Sequence, residues 1–112
     1  MNQDIKDKWI NALRSGEYKQ GTGALKNSND AFCCLGVLCD IHAKETDTRW
    51  VDAEEGWLSN YLGNDGSLPD EVIEWADLEG MDPVICFHFI STYNDKKGYS
   101  FDQLADLIEK HL

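Results

Sequence analysis

Proline occurs only twice in this sequence, at Pro69 and Pro83, and neither an internal repeat nor a low-complexity stretch is present. Nothing marks an interdomain linker, so 1–112 is expected to form a single domain. Long apolar runs are also missing. The longest, 31–39, falls well short of the roughly 18 residues a membrane span needs, and the first residues lack a signal-peptide pattern. A cytoplasmic location follows as the expectation. In such a compartment Cys33, Cys34, Cys39 and Cys86 read as thiols, and the adjacent Cys33 and Cys34 suit a mutual disulfide poorly.

Basic residues are the other shortage. Ten Lys and Arg stand against 21 Asp and Glu, for a net charge of −11. That balance disfavours direct binding to nucleic acid or to an anionic membrane and favours basic partners. The excess is local: 40–82 holds 13 acidic side chains against Lys44 and Arg49, and the other 69 residues hold eight of each sign. Such a bias is either a solvated face or a functional acidic surface.

What is present suits one ordinary core, with 42% apolar residues and 12 aromatics. Ile5, Trp9 and Leu13 form the stripe of an amphipathic helix over about 4–15, stopped by Gly16. A strand or extended loop over 18–26 leads into the turn formers Asn27-Ser28-Asn29-Asp30. Asp30 is then placed to cap a buried helix over 32–43, which contains Gly36. One or two short strands or turns are expected over 46–62. Leu68-Pro69-Asp70-Glu71 opens a short helix to about Asp77 with Val72 and Ala76 inward. The stretch 84–93 reads as strand at its start or as buried helix, and periodicity leaves both open. Ser100 and Gln103 form a capping box ahead of Phe101, Leu104, Ile108 and Leu112 on a final helix. The expected fold is α+β, three to four helices with a short antiparallel sheet or hairpin.

Candidate chemistry is sparse. Cys39 and His42 share a helix face, and Cys86 with His88 would share a strand face; together they would make a tetrahedral zinc set. The spacing is unlike usual zinc knuckles, and buried Cys is common, so core packing is the competing and preferred reading. A Cys–His nucleophile drawn from the same residues lacks an orienting third group. Gly21-Thr22-Gly23 resembles part of a phosphate cradle, but Lys26 replaces the third glycine and no Walker sequence occurs. It leaves an anion or nucleotide contact from Arg14, Lys19, Gln20, Gly21, Gly23 and Lys26, or a plain turn. Asn64-Asp65-Gly66 is no calcium loop, because Tyr61, Gly63 and Val72 occupy ligand positions. Trp50, Trp57, Tyr61 and Trp75 lie within the acidic segment, either as core or as interface anchors.

Several blocks carry a resemblance: Ala12-Leu13-Arg14-Ser15-Gly16-x-Tyr18-x-Gln20-Gly21-x-Gly23-x-Leu25, Cys33-Cys34-Leu35-Gly36-Val37-Leu38-Cys39-Asp40, Leu68-Pro69, and the closing Asn94-Asp95 to Ile108-Glu109. The chain resembles a group of small, largely uncharacterised bacteriophage and prophage proteins. The resemblance implies an accessory protein of the host cytoplasm and carries no catalytic activity with it.

The expected function is therefore stoichiometric binding without catalysis and without a cofactor. It is a counter-defence or host-takeover inhibitor presenting Asp52, Glu54, Glu55, Trp57, Glu71 and Glu74 to a basic host protein, such as a nuclease or defence effector. The alternatives are sequestration of a nucleotide-like immune signal through the glycine loop, and a small metal-dependent enzyme built on Cys39, His42, Cys86 and His88.

Overall fold

The structure, a computed structural model, describes residues 1–52 and 58–112. Helix α1 (Gln3–Arg14) starts where the Asn2 side chain accepts the Ile5 N–H at 3.1 Å, and it buries Ile5, Trp9, Ile10 and Leu13. Its stripe is the one the sequence spacing predicts. The Trp9 indole N–H donates to the Cys34 carbonyl at 2.9 Å, which ties α1 to the beginning of the central helix.

Strand β1 (Lys19–Gln20) pairs with β2 (Ala31–Phe32) in parallel. The chain between them turns at Asn27, whose side-chain oxygen accepts the Asn29 and Ala31 N–H groups. Helix α2 (Cys34–Thr46) follows directly. Asp30 does not cap it: Asp30 sits at φ 56 in the turn, and residues 31–32 are drawn into β2 before the helix begins at N-cap Cys33. Burial of eight of its residues leaves α2 with no wet face along most of its length, so it is the centre of the core.

After isolated bridges between Val51 and Asn60 and between Tyr61 and Asn64, helix α3 (Asp70–Ala76) buries Val72 and Ala76 as expected. Pro69 is its N-cap, so the helix begins at Asp70. The ambiguous 84–93 contains both structures at once. Val84–Ile85 (β3) and His88–Phe89 (β4) form an antiparallel hairpin, and Ile90–Asp95 is helix α4. Helix α5 (Phe101–His111) opens on the Ser100–Gln103 capping box and packs along α1. The architecture is α+β as predicted, with five helices among the described residues. The extra one is α4, six residues long and so too short to show a helical period. One buried apolar cluster draws side chains from all five.

Asn94 on α4 is buried and holds the β1 end of the molecule. Its Nδ2 donates to the Gly21 carbonyl at 2.9 Å, and its Oδ1 accepts from Gln20, which also donates to the Tyr99 carbonyl. No helix among the described residues is long and apolar enough to cross a membrane.

Candidate functional site: an acidic helix, an apolar cleft and a strained hairpin

The glycine-loop residues are used internally. The Gly21 N–H donates to the Phe32 carbonyl at 2.7 Å, and a Cβ there would lie 2.9 Å from the Ala31 Cβ, so this glycine permits strand packing. Gln20 is committed to Asn94 and Tyr99. Lys26 is half-buried, 3.6 Å from both Asp30 and Asp52, with its ammonium over the Phe32 and Trp50 rings. Arg14 reaches Asp106 at 2.7 Å and Glu109 at 2.9 Å on α5. Arg14 and Gln20 do meet across a shallow depression of about 250 Å³, but Lys19, Gly21, Gly23 and Lys26 do not line it. The six residues thus form no common cradle around an anion.

The proposed metal residues also part company. Cys39 and His42 are buried on α2; the His42 Nδ1 lies 2.6 Å from the Tyr61 hydroxyl, and its ring meets Trp75 edge-on at 5.0 Å. Cys86 occupies the exposed hairpin turn, its Sγ 3.9 Å from His111 Nε2, and His88 meets Tyr93 edge-on. Among the described residues no three His, Cys, Asp or Glu side chains gather as a metal would require. Burial pushes the Cys33 thiol up to about 11 and the Cys34 and Cys39 thiols well above their ordinary value. These three are core side chains held neutral.

The aromatics of the acidic segment form an internal stack. Tyr61 is fully buried, and Trp50–Tyr61, Tyr61–His42 and His42–Trp75 follow one another at centroid distances of 4.9, 5.7 and 5.0 Å. Asp40 closes one end, accepting from the Trp50 indole and the Tyr18 hydroxyl. Burial, reinforced by the bond to Asp40, pushes Tyr18 up to about 12. The anchors expected at Trp50, Tyr61 and Trp75 are therefore largely packed, and Trp57 lies outside the described residues together with Glu54 and Glu55.

The acidic residues divide. Asp52 is exposed but paired with Lys26. Glu71 and Glu74 stand exposed with Asp70 on α3, and among the described residues no cation pairs with any of them. Asp70 and Glu71 at the helix start are favoured by its dipole. Glu74 in the last turn is not, and the like-charge pair Asp70–Glu74 at i,i+4 costs about 0.2–0.5 kcal/mol. The exposed carboxylates of α3 are thus mutually repulsive, with no compensating cation among the described residues.

Helix α3 leads into an open cleft of about 830 Å³, with Asp77 and Glu79 on its rim and Leu78, Met81, Val84 and Phe89 among its walls. Asp82, also in the lining, is half-buried and accepts hydrogen bonds from the Ser91 backbone and hydroxyl; burial pushes its carboxyl up from the ordinary value. Met81, Val84 and Phe89 are all more than half exposed. Phe87, at the hairpin tip, is 99% exposed.

That tip is strained. Ile85 pairs with His88, so Cys86 and Phe87 are the two turn residues, and both have positive φ (49° and 70°). A two-residue turn of this hand calls for Asn-Gly or similar, and bulky residues in the left-handed region cost of order 1–3 kcal/mol each. Sequence reasoning missed this site because Cys-Phe gives no turn signal. The trace in the sequence is the β-branched and aromatic content of Val84, Ile85, Phe87, Phe89 and Ile90.

The model of a domain of unknown function, DUF8296, matches residues 1–112. The chain belongs to that family. No curated protein and no solved structure matches it.

Proposed function

We propose that the protein acts by stoichiometric binding of a basic partner protein, as a phage-type accessory protein that occupies a host defence or nucleic-acid-processing factor. The observation that carries this reading is the face of α3: Asp70, Glu71 and Glu74 are exposed and without partner cations among the described residues. The chain continues from that face into the acidic rim of the cleft at Asp77 and Glu79. A surface of one sign steers a partner of the other and competes with the phosphates that partner would otherwise hold. No active site is needed for this effect.

The test is retention of bacterial host proteins on the immobilised protein at low and high salt, against the variant Asp70→Lys, Glu71→Lys, Glu74→Lys. A basic protein held by the parent, released by salt and not held by the variant supports the reading. Equal retention by parent and variant removes it.

A further inference from the structure

We infer that the cleft between the α3 end and the β3–β4 hairpin is the docking site for a segment of the partner that presents a large apolar side chain flanked by Lys or Arg. The inference rests on the binding reading above and specifies what the partner inserts.

Three features converge. The walls are apolar and exposed, with Met81 60%, Val84 57% and Phe89 54% accessible, although the core takes up most other large apolar side chains. The lining is acidic at Asp77, Glu79 and Asp82, and His111 is the ionisable side chain that α5 contributes to it. The adjacent turn holds Phe87 wholly in solvent on a backbone that disfavours it. An exposed aromatic at the tip of a two-strand hairpin beside an apolar recess is the geometry of an interface anchor with its surrounding pocket.

Charge selects among occupants. A second copy of this chain would bring another net −11 and another acidic rim, so self-association through this face opposes like charges. An anionic bilayer is disfavoured on the same ground. A basic, apolar segment satisfies both the walls and the rim.

The probes are two short peptides, one alternating leucine with arginine and one alternating leucine with glutamate. They are titrated into the isotope-labelled protein and followed by amide chemical shifts. Binding of the arginine peptide with shifts centred on 77–89, and none from the glutamate peptide, is the expected result. Phe87→Ala and Val84→Asp, both at exposed positions that leave the core intact, should each weaken binding by about tenfold or more.

The α3 triple reversal should weaken binding chiefly at low salt while the same amides respond. Shifts centred away from 77–89, or no binding at millimolar peptide, overturn the inference. So does self-association by sedimentation that Phe87→Ala abolishes, which would make a second copy the occupant. If the cleft variants bind normally and the α3 variant fails, the acidic-face reading survives without the cleft; the converse keeps the cleft and removes α3.

Discussion

Gly36 and Leu25 meet backbone against backbone: a Cβ on Gly36 would stand 1.8 Å from the Leu25 carbonyl oxygen. That carbonyl also accepts the Cys33 N–H, so the first turn of α2 is seated on the strand-like segment before it. A glycine inside a central helix ordinarily weakens it by about 1 kcal/mol relative to alanine. Here it permits α2 to approach the Leu25 backbone more closely than any side chain would allow.

Gly36→Ala should therefore destabilise the protein by about 3 kcal/mol or more, because backbone cannot move aside as a side-chain end can. Gly23→Ala, at φ +77 with open space around it, should lose only about 1 kcal/mol from the left-handed backbone. Urea unfolding of the two variants checks the contrast, and equal losses would show that the Leu25 contact is relieved by a shift of α2.

Replacing the hairpin tip by the residues its turn demands, Cys86→Asn with Phe87→Gly, should raise stability by about 1 kcal/mol or more. The same change removes the exposed anchor. Thermal melts should rise as binding of the arginine–leucine peptide falls, and a lower melting point would count against strain at this turn.

Cys86 should be the one thiol that reacts in the folded protein. It is exposed with an imidazole at 3.9 Å, while Cys33, Cys34 and Cys39 are buried and held protonated. One equivalent of a thiol reagent should be taken up rapidly at neutral pH and none by Cys86→Ser, with the remainder appearing only in denaturant. Rapid uptake of further equivalents by native protein would mean the core opens readily.

His42 sets a pH dependence. Burial holds its pKa below the ordinary 6.5, against the pull of Glu71 and Glu45. As pH falls through about 6.5 the unfolded chain takes up a proton at this position that the folded chain resists. Stability from this residue therefore declines on acidification and is fully present above that value. A His42→Gln variant should lose less stability between pH 7 and pH 5 than the parent, and an identical pH slope in both would rule His42 out as the cause.

Much of the helical framework is legible from local rules. Ile5, Trp9 and Leu13 mark α1, Ser100 and Gln103 mark the start of α5, and Pro69 with Asp70 marks α3 to within a residue. The proposed binding surface was legible only in charge. Glu71 and Glu74 stand out by composition, whereas Phe87 does not, since its importance comes from a turn conformation that its residue type argues against.

Sequence alone determined the helices with caps and a periodic apolar face, the acid excess of 40–82, and the absence of any long apolar run. Each depends on neighbours within a few positions, which is the range over which periodicity and capping act. Tertiary structure decided the rest. It joined β1 to β2 in parallel, spent Gly21 and Gln20 on internal bonds, stacked Trp50, Tyr61, His42 and Trp75 inward, and left Phe87 outside. Those outcomes turn on contacts between residues far apart in the chain, where the approach of the bare Gly36 backbone to the Leu25 carbonyl outweighs local propensity.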